Sequence, residues 1–119
     1  MTNAFDVLIV ENCDDTRFLL HRIFQRLVHQ VVAVGNGPDA LDAVASFTPD
    51  VAFIDLAMPG MSGLELVKQL RADPALRRTR LVAHSGLASR DYRQAALAAG
   101  FDAFIPKPAP PDQLLAALR

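Results

Sequence analysis

The feature that most constrains this chain is an alternation. Short apolar runs, each closed abruptly by polar or turn residues, are separated by longer segments of helical period. Val7-Leu8-Ile9-Val10 stops at Glu11-Asn12, and Val31-Val32-Ala33-Val34 stops at Gly35-Asn36-Gly37. Val51-Ala52-Phe53-Ile54 stops at Asp55, Leu81-Val82-Ala83 at His84-Ser85-Gly86, and Phe101-Asp102-Ala103-Phe104-Ile105 at Pro106. Such runs, rich in β-branched residues and too short for helices, read as strands buried on both faces.

Between them the period changes. Leu20, Ile23, Phe24, Leu27 and Val28 form one helical stripe. Pro38 suits a first helical turn continued by Ala40, Leu41, Val44 and Phe47. Ser62 is placed to cap a helix carrying Leu66, Val67 and Leu70, and Ser89 to cap the alanine-rich stretch that stops at Gly100. Asp112 is placed to cap a short last helix with Leu114, Leu115 and Leu118. Strands alternating with helices in this way imply a doubly wound α/β fold, a five-stranded parallel sheet covered on both faces.

At 119 residues the chain fits a single domain, residues 1–119, and 51% hydrophobic residues supply its core without a metal or disulfide staple. The last helix breaks off while its pattern is still periodic. The chain is therefore read either as cut from a longer protein or as ending near its domain boundary. Cys13 is the only cysteine, so no internal disulfide can form, and a reducing cytoplasm is the expected compartment. A net charge of −1 gives no overall field favouring nucleic acid or an anionic membrane. No stretch reaches the ~20 apolar residues of a membrane-spanning helix.

In an open parallel α/β sheet, function gathers beyond the carboxyl ends of the strands. Those ends carry Glu11 and Asn12, Asp55, Ser85 and Lys107, which are acids, an amide, a hydroxyl and an amine. Packing alone would not put ionisable groups at the ends of the most apolar segments. The set suits phosphoryl transfer: a carboxylate can form an acyl phosphate, while a lysine and a cation neutralise the phosphoryl oxygens.

The run Asp55-Leu56-Ala57-Met58-Pro59-Gly60-Met61-Ser62-Gly63 resembles the phospho-acceptor loop of response-regulator receiver domains (CheY-like) of bacterial two-component systems. Val10-Glu11-Asn12, His84-Ser85-Gly86 and Phe104-Ile105-Pro106-Lys107-Pro108 resemble that family's acidic turn, switch hydroxyl and aromatic-lysine-proline ending, in order along essentially the whole chain. The resemblance implies a flavodoxin-like (βα)5 fold with strand order 2-1-3-4-5. Asp55 would accept phosphate from a histidine kinase or phosphotransfer protein. Lys107 and Ser85 would contact the phosphoryl group, and Phe104 would follow Ser85. Mg²⁺ would be held by Glu11, Asp55 and the Ala57 carbonyl, and Lys107-Pro108 would be a cis peptide. The output face would comprise the fourth helix, fifth strand and fifth helix, serving an output domain, a downstream protein or a homodimer. No direct contact with nucleic acid or membrane, and no turnover of an external substrate, is implied.

One departure matters. The family usually has two acids after the first strand, the second of them a direct metal ligand, whereas this chain has Glu11-Asn12. An amide brings no charge, so weakened Mg²⁺ affinity is expected, with Asn12 a doubtful ligand. This opens the alternative of a pseudo-receiver, an interaction module that does not use phosphate. A third reading, an aspartyl-phosphate phosphatase, lacks its general acid because the position two after Asp55 is Ala57. By ordinary readings Arg17 lies on a solvated helix face, His84 is a strand-end residue with a satisfied ring, and Cys13 is a small buried hydrophobe.

Overall fold

A computed structural model describes residues 5–28 and 30–118. Its elements alternate along the chain: β1 (Asp6–Val10), α1 (Asp14–Gln25), β2 (Gln30–Val34), α2 (Gly37–Val44), β3 (Val51–Ile54) and α3 (Gly63–Ala72). A 3-10 turn (Pro74–Leu76) then leads to β4 (Arg80–Ser85), α4 (Arg90–Ala99), β5 (Ala103–Pro106) and α5 (Pro111–Ala116). The five strands form one parallel sheet in the order β2-β1-β3-β4-β5, the order that the resemblance implies. Among the described residues, no helix is long and apolar enough to cross a membrane.

Strand residues alternate between two cores because successive side chains point to opposite faces. Leu8, Val10, Ala52, Ile54, Leu81 and Ala83 pack with Ala40, Leu66, Val67, Leu70 and Ala96 from α2, α3 and α4. Val7, Ile9, Val51, Phe53 and Val82 pack with Leu20 and Phe24 from α1 and Leu114 from α5. Phe24 stacks on Phe53 with ring centroids 5.1 Å apart. Each such large buried side chain contributes about 1.5–3 kcal/mol.

The caps at Ser62 and Ser89 form as the sequence implies, their hydroxyls accepting the Glu65 and Tyr92 backbone N–H groups at 3.2 and 3.3 Å. The cap assigned to Asp112 does not form. Pro110 takes the cap position and Pro111 begins α5, because proline's fixed φ suits a first helical turn and starts the helix earlier. Asp112 instead lies in the first turn, where its charge complements the helix dipole.

Boundaries also move, α2 among them, which ends at Val44 short of Phe47. β4 continues through His84 and Ser85, which the sequence places beyond the strand. β5 begins at Ala103, because the Phe101 N–H is consumed by the end of α4, donating to the Ala96 carbonyl at 3.1 Å around Gly100 (φ 126°). α1 stops at Gln25, where the Leu27 and Val28 N–H groups turn back to the Phe24 carbonyl at 2.9 and 3.1 Å, leaving Leu27 exposed.

One glycine fixes the position of the loop after β3. A Cβ at Gly63 would lie 2.3 Å from the Asp55 carbonyl oxygen and 2.8 Å from the Leu56 Cα, both backbone atoms. Gly63→Ala should therefore cost about 2 kcal/mol, lowering the urea midpoint without changing the slope. An unchanged midpoint would show that this backbone yields easily.

Candidate functional site

The ladder carries the strand-end acids into a common hollow. The Glu11 N–H donates to the Val34 carbonyl at 3.0 Å, and the Asp55 N–H donates to the Val10 carbonyl at 3.0 Å. Both residues thus continue the sheet register one step past the apolar runs. Lys107 arrives from the neighbouring edge, its N–H donating to the Ser85 carbonyl at 2.9 Å, followed by a cis Lys107-Pro108 peptide.

Lys107 Nζ joins the two acids. It donates to Glu11 Oε1 and, at 3.1 Å, to Asp55 Oδ2. Glu11 is 2% exposed, while the Asp55 side chain keeps 8% and that of Lys107 23%, so the cluster is nearly dry yet open on one side. The remaining carboxylate oxygens are also engaged: Glu11 Oε2 accepts the Cys13 N–H and Asp55 Oδ1 the Ala57 N–H, both at 3.1 Å. Burial alone would lower the Lys107 pKa. The hydrogen bonds and charges of Glu11 and Asp55 outweigh it and raise the pKa above the ordinary value.

Ser85 is fully buried, and its Oγ accepts the Leu87 N–H at 3.1 Å, leaving the hydroxyl proton free for another acceptor. Phe104 is half-buried on the α2–α4 side of the sheet, with the Arg93 guanidinium 5.1 Å from its ring centroid. Asn12 and Ala57 are exposed. Glu11, Asp55 and Lys107 are therefore in direct contact, Ser85 holds Lys107 through its backbone, and Phe104 is engaged elsewhere.

Three ordinary expectations fail. Arg17 is not a freely solvated helix residue: its Nη1 donates to the Glu11 carbonyl at 2.8 Å and its Nη2 pairs with Asp14, bracing the acidic turn from α1. No local sequence signal reveals this, because the partner is a backbone atom. Cys13 is exposed at the start of α1 rather than buried, and hydrogen bonds from Thr16 lower its thiol pKa. His84 is buried, but its Nε2 has no hydrogen-bond partner. Following Val82 in the strand alternation, it lies on the α1–α5 side, at a cavity of about 250 Å³ shared with Leu19, Leu20 and Lys107. Burial, and next the Lys107 charge, push its pKa down to about 4, against the pull of Asp55.

The family model described as "Response regulator receiver domain" matches residues 7–119. The chain is 34% identical over 111 residues to the sensory/regulatory protein RpfC of Xanthomonas campestris, a match covering 92% of this chain and 15% of that protein. Among solved structures it is similar to chemotaxis protein CheY4 of Vibrio cholerae, with a TM-score of 0.91 and 27% identity, covering 97% and 96% of the two chains. It also shares its fold with the receiver domain of the sensor histidine kinase PA1611 from Pseudomonas aeruginosa, solved with a magnesium ion coordinated in the active site cleft. There the TM-score is 0.87 and the identity 22%, over 97% and 94% of the chains.

Proposed function

This chain belongs to the response regulator receiver domain family, whose members are phosphoacceptor switches, and we propose that it takes its phosphoryl group on Asp55. The observation that carries the reading is the single ammonium of Lys107 held between Asp55 and Glu11, across a sequence separation of 52 and 96 residues. A structural ion pair needs one carboxylate; two buried acids on one lysine form a charge arrangement suited to an incoming phosphoryl group.

In this reading a carboxylate oxygen of Asp55 attacks the phosphorus of a phosphohistidine on a histidine kinase or phosphotransfer protein. The O–P bond forms as the N–P bond breaks, and the imidazole nitrogen takes up a proton. Lys107 moves its hydrogen bond from Asp55 Oδ2 to a phosphoryl oxygen. The free hydroxyl proton of Ser85 then finds an acceptor, drawing in the β4–α4 loop that already hangs on Ser85 Oγ through Leu87. Phe104, stacked with Arg93 of α4, lies where that movement would reach the face of α4, β5 and α5. That face would engage an output domain, a downstream protein or a second copy. The chain would work in the cytoplasm, without turning over an external substrate.

Receiver domains generally bind Mg²⁺, and the residues here fit it. Glu11, Asp55 and the Ala57 carbonyl offer oxygen donors, and Mg²⁺ is commonly held by one or two carboxylates with waters completing its octahedron. When bound, the ion supplies positive charge against the phosphoryl oxygens. Among the described residues no three acids, histidines or cysteines cluster to hold a metal, and Asn12 adds no charge. Asn12→Asp should therefore tighten Mg²⁺ binding by about tenfold or more in a calorimetric titration, the effect of roughly 1.4 kcal/mol. Equal affinities would contradict a weakened site.

Asn12 also favours a second reading, an interaction module that keeps the fold without using phosphate. Intact-mass measurement after incubation with acetyl phosphate and Mg²⁺, and separately with a phosphorylated phosphotransfer protein, distinguishes the two. The account expects the mass of one added phosphoryl group. No gain from either donor would favour the interaction module.

A further inference from the structure

The end of the sheet opposite the acceptor pocket carries an unexplained concentration of positive charge. Arg77, Arg78 and Arg80 fall within four residues, from just after the 3-10 turn to the first residue of β4, and line one open cavity of about 380 Å³ together with Arg71, Thr79 and Asp102. Arg80 opens β4 and Ser85 closes it, so the two ends of the strand lie roughly 17 Å apart by strand rise. The cavity is thus separate from the Asp55 site.

Arg71 is already satisfied. Its Nε donates to the Gly100 carbonyl and its Nη1 to the Thr79 carbonyl, both at 2.9 Å, and its Nη2 pairs with Asp102. Arg71 and Asp102 form a neutral wall. The other three arginines make no side-chain hydrogen bond or ion pair with any described residue, and the Nε of Arg80 is buried without an acceptor. Of the neighbouring acids, Asp50, whose carbonyl accepts the Arg80 N–H at 2.8 Å, turns its carboxylate to the Asp6 N–H at 2.7 Å, and Asp73 turns its own to the Ala75 N–H at 3.0 Å. Three guanidinium groups therefore face one cavity without a direct ion-pair partner among the described residues, on a chain whose net charge is −1.

We propose that this cavity is a binding site for a compact anion bearing two or more phosphoryl groups. Guanidinium forks match phosphate oxygens in paired hydrogen bonds, and several forks around one small space favour a dense oxyanion over isolated carboxylates. The volume lies at the lower end of the range of small-molecule sites, about 300–1,000 Å³. No aromatic residue lines it, so the recognition rests on guanidinium groups and their fit to oxyanions. The recognised chemistry is the diphosphate itself, either free or as the polar part of a phosphorylated metabolite.

The test is calorimetric titration of the full chain with inorganic pyrophosphate, without Mg²⁺ and at constant ionic strength. Sulfate and a short polyglutamate peptide are titrated in parallel. Saturable binding of pyrophosphate is expected, weakened about tenfold or more in the Arg77→Gln/Arg78→Gln variant, and similarly in Arg80→Gln. Arg77 and Arg78 are exposed, so that variant should unfold at the same temperature as the natural chain and take phosphate from acetyl phosphate equally well. Substituting a nucleoside diphosphate for pyrophosphate separates the sources: equal affinity assigns recognition to the diphosphate, and tighter binding assigns it to a larger phosphorylated metabolite. Heats no larger than those of sulfate, undiminished binding in both variants, or tighter binding of polyglutamate would each overturn the proposal, the last by assigning the patch to an acidic protein segment.

Discussion

Replacing Lys107 with alanine should slow phosphoryl uptake from acetyl phosphate by roughly a hundredfold, on the scale of removing one preorganised charge donor from a dry site. The loss has two sources. Lys107 Nζ is the cation hydrogen-bonded to both buried carboxylates, at 3.1 Å in the case of Asp55 Oδ2. Without it, two buried carboxylates are left in one poorly solvated space with no cation between them, and Asp55 Oδ2 loses the hydrogen bond that holds it in place. The charge awaiting the phosphoryl oxygens is lost as well.

Stability should fall too, by about 1–3 kcal/mol, less than for a fully buried pair because water reaches the lysine side chain. The sign of the pH dependence follows from the raised lysine pKa. The stabilisation is complete below the ordinary value of 10.5 and disappears as pH rises through the higher folded value. Lys107→Arg should restore the charge but not the rate, because a planar guanidinium cannot occupy the point between the two acids. Adduct formation followed by intact mass measures the rate, and urea unfolding measures stability. An alanine variant phosphorylated as fast as the natural chain would remove Lys107 from the chemistry.

The second large effect lies beneath the site. His84 has its pKa pushed from 6.5 down to about 4 by burial and by the Lys107 charge, so the folded protein holds it neutral. As pH falls, the unfolded chain takes up the proton first. The stabilisation from keeping His84 neutral is thus complete above about pH 6.5, is lost progressively toward pH 4, and levels off below. The pKa difference corresponds to roughly 3 kcal/mol at about 1.36 kcal/mol per unit. His84→Leu removes the titrating group and also the buried Nε2 that lacks a partner, so at neutral pH it should be neutral or mildly stabilising. The variant should gain about 3 kcal/mol relative to the natural chain between pH 7 and pH 4. Parallel stability curves across that interval would show that His84 does not carry the acid sensitivity.

The sheet was legible because its strands announce themselves twice, as uninterrupted apolar runs and as abrupt polar endings. Val7–Val10 and Val51–Ile54 are buried at every position, which is why no face of either run is polar. The meeting of Glu11, Asp55 and Lys107 follows from that pattern, since parallel strands deliver all their carboxyl ends to one edge. What stayed hidden depends on side-chain direction and on partners remote in the chain. Arg17 reaches a backbone carbonyl, and nothing in its neighbours advertises that. His84 resembles any strand-end histidine until β4 is seen to run on through Ser85, turning the ring toward α1 and α5. The Asp112 cap failed because two prolines set the helix start before the aspartate could.

The central claim is a covalent one, that the acyl phosphate forms on a particular carboxylate out of the 13 acidic side chains in the sequence. Borohydride reduction of the phosphorylated chain converts a phosphorylated aspartate into homoserine, which peptide mass spectrometry then locates. The account predicts homoserine at residue 55 and at no other position. Homoserine at a different aspartate, with Asp55 recovered intact, would contradict it.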